Sequence, residues 1–364
     1  MNDLGIYIHV PFCGRKCPYC DFYSVPYSAG TVRDYTDAVL RNIRHYSEPE
    51  RTVSTLYFGG GTPSLLTPEQ LGSIISEVRK NFRLSDSAEI TLEANPNTLT
   101  PEKLSILRNS GINRLSVGVQ SLLDDELKML GRTHSAERAE KAVRDAAAAG
   151  FGNISCDLMI ALPGQTPEKL RRSSEKLAAL PIQHISAYIL KAEEGTPFAE
   201  SEFLKELPDD DLSAELYLET VRIMAENGFE QYEISNFARE GFESRHNCRY
   251  WKCQDYLGIG PAAHSCYGGK RFAVPRDIGQ FTGQDFQTEE VTDDAPCGFE
   301  ETAMLRLRLT EGIDLDDFPE HRRSIEKKAP ALAEAGYVRF DGRKLSLTPE
   351  GFLVSNAVIG QLIF

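Results

Sequence analysis

Leu4-Gly-Ile-Tyr-Ile-His-Val10-Pro-Phe-Cys13-Gly-Arg-Lys-Cys17-Pro-Tyr-Cys20 joins a short apolar run to three closely spaced thiols. The run from Leu4 to Val10 has the length and apolar density of a buried strand. Pro11 ends it, because proline has no N–H to give to a ladder. Cys13, Cys17 and Cys20, spaced CxxxCxxC, therefore sit on a loop just past a strand's C-terminal end. Thiolates this close need a shared partner, since each is a strong soft ligand and like charges repel. Iron–sulfur clusters and zinc are the usual partners.

The number of thiols matters. A closed structural zinc site takes four ligands in a tetrahedron, and a cubane cluster takes four, one per iron. Three leave one iron with an open position, where chemistry takes place. The amino and carboxylate groups of S-adenosylmethionine can chelate that iron. An electron from the cluster can then cleave a carbon–sulfur bond and release a 5′-deoxyadenosyl radical. The spacing resembles the signature of the radical-SAM superfamily. Zinc with His9 as a fourth ligand, and a disulfide that leaves one thiol over, are the alternatives.

The rest of the composition narrows the class. A length of 364 residues suggests two domains, or one barrel plus an appendage. A net charge of -14 argues against nucleic acid as a partner and disfavours attraction to anionic lipid. No run of about 18 apolar residues predicts a membrane span. The first residues lack a secretory pattern, and eight cysteines without one read as reduced thiols of a cytoplasmic protein.

Along the chain, strands and helices alternate. Val53–Phe58, Ala88–Glu93, Arg114–Gln120, Ile154–Ile160 and Ile185–Leu190 read as further strands, and Gln231–Ile234 as a marginal one. Helices are expected from Asp34 to Tyr46, after the caps Thr67, Thr100, Ser135 and Thr166, and from Asp211 to Asn227. Such alternation means βαβ units and a parallel sheet. The pattern predicts an α/β fold, a partial (β/α)6 TIM-like barrel open on one side.

Polar residues cluster at one rim of that barrel. Cys13, Gly59, Glu93 and Gln120 fall at or just past strand C-terminal ends, and Asp157 sits inside the fifth strand. In βα barrels that rim carries the active site. Buried carboxylates need partners, and a cationic, polyhydroxylated ligand such as S-adenosylmethionine would supply them. Gly59-Gly60-Gly61-Thr-Pro63 lets backbone approach a ligand, and its pairing with the ligand's amino group is expected.

Tyr7-Ile-His-Val-Pro-Phe-Cys13, Gly59-Gly-Gly-Thr-Pro-Ser64, Arg114-Leu-Ser-Val-Gly-Val-Gln120 and Asp157-Leu-Met-Ile-Ala-Leu-Pro163 together resemble the oxygen-independent coproporphyrinogen III dehydrogenase (HemN) family of radical-SAM proteins. The resemblance spans nearly the whole chain. It implies a 4Fe–4S cluster on Cys13, Cys17 and Cys20. It also implies S-adenosylmethionine contacts at Tyr7, Gly59, Gly60, Glu93, Gln120, Arg132 and Asp157, with Glu93 on the ribose hydroxyls and Tyr19 near the adenine. Two departures separate this sequence from the true dehydrogenases. They carry a further cysteine two residues after the third, where Phe22 stands here, and a long N-terminal extension. Both departures, and His246-Asn-Cys-Arg-Tyr-Trp251, which matches an HNxxYW motif, are similar to the haem chaperone branch (HemW).

The HNxxYW stretch also has a direct reading. Neutral imidazole is a common haem iron ligand, and Tyr250 and Trp251 offer flat apolar surface to a porphyrin. A turn whose aromatics plug the barrel's open side is the structural alternative. Cys248, Cys253, Cys266 and His264 lie nearby as further ligand candidates. The expected division is a barrel over residues 1–240, the HNxxYW stretch and a connector over 241–296, and a C-terminal unit over 297–364. Two helices, an Asp341-Gly342 hairpin and a last helix after Thr348 make that unit resemble a winged helix.

The function expected is a haem chaperone holding the cluster, S-adenosylmethionine and haem. Its partners would be haem-accepting proteins, membrane-associated ones included, and a one-electron donor such as flavodoxin or ferredoxin. The alternative is an enzyme that oxidatively decarboxylates coproporphyrinogen III, which needs a cationic cleft, with Arg15, Lys16, Arg132 and Arg249 as candidates. A radical enzyme that opens the haem macrocycle is a third reading.

Overall fold

The computed structural model describes residues 3–364. Six strands, β1 (Leu4–Val10), β2 (Glu48–Gly60), β3 (Phe82–Ala94), β4 (Arg114–Gln120), β5 (Ile154–Ile160) and β6 (His184–Ile189), lie side by side in chain order, all parallel. Helices α1 (Ala29–His45), α2 (Pro68–Asn81), α3 (Pro101–Asn109), α4 (Asp124–Met129), α5 (Ala136–Ala148), α6 (Pro167–Ala178) and α7 (Asp210–Glu226) follow them in sequence. Thr67, Thr100, Ser135 and Thr166 each cap a helix by accepting the N3 backbone N–H.

Beyond β6 the sheet continues with β8 (Asn236–Ala238) and then β7 (Glu230–Glu233), both antiparallel. On the other side of β1 come β9 (Tyr256–Ile259), parallel to β1, then β10 (His264–Tyr267), β11 (Lys270–Ala273) and β12 (Glu290–Asp293). β7 and β12 are the two edges of this 12-stranded sheet, so it does not close on itself. The barrel is partial, as expected.

Three details differ from the sequence expectation. α1 starts at Ala29 rather than Asp34, because Ser28 caps it by accepting from Thr31 N. α4 was not foreseen; Asp124, Asp125 and Glu126 in its first turn favour a helix N-terminus. The stretch 276–295, which reads as a connector, carries α9 (Ile278–Gly283) and β12 instead. Buried Phe281 packs on Tyr35 of α1, and Gln287 donates to Gly258 O at 2.9 Å.

The C-terminal part has α10 (Phe299–Arg306), α11 (Pro319–Glu334), α12 (Pro349–Leu353) and α13 (Ser355–Ile363) around a three-stranded sheet. Its strands are β13 (Ile313–Asp314), β14 (Val338–Phe340) and β15 (Lys344–Leu347), in the order β13-β15-β14. The turn at Asp341-Gly342 joins β14 to β15, with Gly342 at φ 91°.

Strand alternation divides the barrel into two environments. Leu4, Ile6, Ile8, Leu115, Val117, Ile154, Cys156 and Leu158 point outward into the apolar layer under the helices. The opposite faces carry Tyr7, His9, Thr55, Tyr57, Glu89, Thr91, Glu93, Arg114, Ser116, Ser155, Asp157, His184 and Ser186. A lumen filled by branched apolar residues would be a packed core. This one is built of polar groups that need partners.

Candidate cofactor site

The cysteine loop is tied to the glycine-rich loop by backbone. Gly61 N donates to Val10 O at 2.8 Å and Thr62 N to Phe12 O at 2.7 Å, while Phe198 N donates to Pro18 O at 3.1 Å. Cys13, Cys17 and Cys20 are all half-buried. Cys13 Sγ lies 3.1 Å from Arg15 O and 3.5 Å from Thr62 Oγ1. Arg132 reaches from beyond β4, donating to Cys17 Sγ at 3.5 Å and to Gly118 O at 2.7 Å. Tyr19 packs on the small cluster of Leu130, Met159, Leu162, Leu190 and Phe198. The three sulfurs are not drawn together to single-ion spacing; among the described residues that grouping, within 4.8 Å, occurs at Cys253, Cys297 and Glu301. Three thiols on one short loop are the donor set that a cubane cluster with one open iron would use.

The glycine-rich loop closes the next wall. Gly60 has φ 113°, and a Cβ there would lie 2.8 Å from the His9 ring; a Cβ on Gly61 would lie 2.6 Å from Phe12 O. Only glycine lets β2 and the cysteine loop come this close. The N–H groups of Gly60, Gly61 and Thr62 are spent on Glu93 Oε2, Val10 O and Phe12 O.

Glu93 accepts from Tyr57 OH at 2.8 Å and from Gly60 N at 3.1 Å. Burial pushes its carboxyl up to about 7; the charge of Asp157 adds to this, and the two hydrogen bonds and Arg114 oppose it. Asp157 accepts from Ser116 Oγ at 3.4 Å. Burial raises it to about 6, against the pull of Arg114 and Arg132. Gln120 ends β4 at φ 70° and is 9% exposed. A left-handed non-glycine residue at a strand end carries strain that tends to collect at functional positions.

Arg114 and Tyr57 were not singled out from the sequence, and His9 was named there only as a possible fourth ligand to zinc. Arg114 is the largest fully buried side chain in the protein, and its charge acts on both Glu93 and Asp157. Its Nε, Thr91 Oγ1 and Arg132 Nε have no hydrogen-bond partner among the described residues. Buried donors and acceptors left open in this way suit a polar guest. The period-two run of polar residues through β2 to β6 is the signal that finds them.

The raised carboxyls have a consequence for stability. Each binds its proton more tightly folded than unfolded. Its contribution is therefore full below the ordinary carboxylate range and is lost as pH rises through about 6 for Asp157 and about 7 for Glu93. The Glu93→Gln, Asp157→Asn double variant should gain stability over the wild type, without cofactor, between pH ~5 and ~8, by of order 2 kcal/mol. Denaturant melts of both proteins at the two ends of that range measure it. A gap that narrows with rising pH contradicts it.

The HNxxYW stretch lies at the opposite end of the barrel from the cysteines. It forms α8 (Arg245–Trp251), a short helix across the N-terminal ends of the parallel strands. The N–H groups of Arg245 and His246 both donate to the Glu89 carboxylate, at 3.1 Å each. Arg249 donates to Asp255 O, Ser54 Oγ and Asp3 O. His246 is 1% exposed and points up the lumen, stacked on Tyr57 with ring centroids 5.0 Å apart. Its Nδ1 bonds Thr55 Oγ1 at 2.8 Å and its Nε2 bonds Tyr250 OH at 2.7 Å. Burial lowers its pKa to about 3, so the ring is neutral. Both ring nitrogens are engaged, so His246 anchors the helix, and serving as an iron ligand would require breaking both bonds. Trp251 is half-buried, with the Arg308 guanidinium 6.0 Å from its ring centroid. Beside α8 is a cleft of about 630 Å³, lined by Arg245, Cys248, Arg249, Lys252, Tyr232 and Glu311 among others.

This placement separates the four cations offered for a carboxylate-rich substrate. Arg15 and Lys16 are exposed on the cysteine loop and Arg132 lies beside it, whereas Arg249 is buried at the far end. They do not converge.

Comparison with known proteins agrees with this architecture. Residues 7–177 match the Radical SAM superfamily, and residues 299–354 match the HemN C-terminal domain. The chain is 36% identical to "Heme chaperone HemW" of Bacillus subtilis, covering 98% of each. It is 39% identical to "Radical S-adenosyl methionine domain-containing protein 1, mitochondrial" of Danio rerio, covering 99% of this chain and 87% of that one. Coproporphyrinogen III oxidase (HemN) from Escherichia coli superimposes with a TM-score of 0.83 at 23% identity, over 99% of this chain and 90% of that one, a likeness of fold. No helix among the described residues is long and apolar enough to cross a membrane. By its full-length identity to HemW proteins and its two matched domains, the chain belongs to the HemN-like radical SAM proteins, in the HemW branch.

Proposed function

We propose that this protein is a cytoplasmic haem chaperone. It would carry a 4Fe–4S cluster on Cys13, Cys17 and Cys20 and S-adenosylmethionine in the mouth of the barrel, and it would hold haem at α8 for delivery to haem-requiring proteins. The observation that carries this reading is the match to relatives named haem chaperones across the whole chain, α8 and the C-terminal unit included. When bound, the cluster supplies one electron to the sulfonium, from a donor such as flavodoxin or ferredoxin. The chain's own residues do the rest. Tyr19 covers the adenine side, Glu93 and Asp157 accept from hydroxyl and ammonium groups, and Arg132 holds the cysteine loop to β4. Gln120, Tyr7 and Gly59-Gly60-Gly61 complete the wall.

For haem, His246 and Tyr250 act from the inner face of α8, fixing the helix. The outer face presents Arg245, Cys248 and Lys252 to the cleft. Two cations suit the propionate edge of a porphyrin, Cys248 offers a thiolate to the iron, and Trp251 adds flat apolar surface. Radical decarboxylation of coproporphyrinogen III has less support, since the cations it needs do not converge.

Absorbance titration with haem tests this assignment. His246→Ala and Trp251→Ala should each weaken binding by about tenfold, the loss of roughly 1.4 kcal/mol of contacts. Cys248→Ala should change the absorbance of the complex, and the cluster spectrum should stay intact in all three. Wild-type haem affinity and absorbance in all three variants would remove α8 as the haem site.

A further inference from the structure

Cys253, Cys266 and Cys297 come from three separate segments and meet at one place. Cys253 follows α8, Cys266 lies in β10, and Cys297 precedes α10. Cys266 Sγ and Cys297 Sγ are 3.8 Å apart. Cys297 Sγ, Cys253 Sγ and a carboxylate oxygen of Glu301 all lie within 4.8 Å of one another. None of these groups belongs to the cysteine loop or to the haem cleft described above.

The geometry points to a structural zinc site with Cys253, Cys297 and Glu301, which already lie within 4.8 Å of one another, as ligands, and with Cys266, 3.8 Å from Cys297 but outside that mutual grouping, moving in as the fourth. We propose that this site staples α8 and the added strands to the C-terminal unit. Two thiolates on one tetrahedral zinc, each at about 2.3 Å, are about 3.8 Å apart, which is the spacing of Cys266 and Cys297. That distance is too long for the S–S bond of a disulfide, at about 2.05 Å. Three sulfurs and one carboxylate oxygen suit a borderline-soft d¹⁰ ion and not calcium or magnesium, which take oxygen.

The surroundings are arranged as outer partners of a metal site are. Glu301 is oriented by Cys297 N, which donates to it at 2.6 Å, and forms an ion pair with Arg271 Nε at 2.7 Å. Thr302 Oγ1 donates to Cys297 O at 3.0 Å and lies 3.7 Å from Cys253 Sγ. Arg271 also offsets the negative charge that three thiolates and a carboxylate leave around a divalent ion. Cys253 and Cys297 both have left-handed backbone, φ 50° and 67°. Such conformations are costly for non-glycine residues and persist where surrounding structure fixes them. Binding is a ligand exchange without redox change: three thiols each release a proton as the zinc–sulfur bonds form.

Zinc content and coordination of the full-length, cluster-loaded chain test the proposal separately from iron. After exposure to zinc and desalting, the wild type should retain about one zinc per chain. X-ray absorption at the zinc edge should report three sulfur neighbours. Cys253→Ser and Cys297→Ser should each bring zinc to near none with iron unchanged, and Cys156→Ser should keep both metals. In the wild type, a strong chelator that removes the zinc and leaves the cluster should lower the melting temperature. A wild type that holds no zinc, zinc retained equally in Cys253→Ser and Cys297→Ser, or a Cys266–Cys297 disulfide in protein prepared under reducing conditions would each overturn it.

Discussion

Changing Cys13, Cys17 or Cys20 to alanine is expected to abolish nearly all cluster iron and the brown absorbance that goes with it. Each thiol is on a loop held from three sides, by Val10 and Phe12 through the glycine loop, by Arg132 from β4, and by Phe198 on Pro18. A cubane that already has one iron without a protein thiolate cannot lose a second anchor and stay bound. The other cysteines stand apart from this loop. Cys156 is fully buried and faces the helices, and Cys248 is at the far end of the barrel. Cys156→Ala and Cys248→Ala should therefore keep wild-type iron. Iron per chain after anaerobic reconstitution decides, and equal iron loss in either control contradicts the assignment.

Weakening of S-adenosylmethionine binding by Glu93→Gln and Asp157→Asn is the second large effect. Both carboxyls are buried beside Arg114, and Glu93 is already fixed by Tyr57 and Gly60. A cationic, hydroxyl-bearing guest gives them hydrogen-bond donors and a compensating charge. Removing one charge-assisted hydrogen bond costs ~1.5–3 kcal/mol, roughly ten- to a hundredfold in affinity. Calorimetric titration of cofactor into cluster-loaded variants measures it, and unchanged affinity in both sinks the site.

Much of the barrel was legible because its signals are local. β1, β4 and β5 have the limits read from the sequence, since Pro11, Gln120 and the flanking polar turns end them within a few residues. The four caps at Thr67, Thr100, Ser135 and Thr166 are likewise local, a side-chain oxygen and an N–H three residues on. What was not legible depends on distant partners. His246 reads as an available imidazole until Thr55, 191 residues earlier, is found against its Nδ1. β9 is four residues long and owes its place to parallel pairing with β1. The stretch 276–295 has too few apolar residues for any period, and Phe281 and Gln287 hold it only through contacts to α1 and β9. Arg114 stands in plain sequence at the start of β4, and only the inward face of that strand gives it a role.

One anaerobic incubation tests the central claim most directly. Cluster-loaded wild-type protein is given S-adenosylmethionine, a one-electron reductant, haem and coproporphyrinogen III together, and the tetrapyrroles are then separated and identified. The account predicts intact haem travelling with the protein, passing to an added haem-free acceptor, and coproporphyrinogen III recovered unchanged. Accumulation of protoporphyrinogen over many turnovers, or of an opened macrocycle, would contradict it.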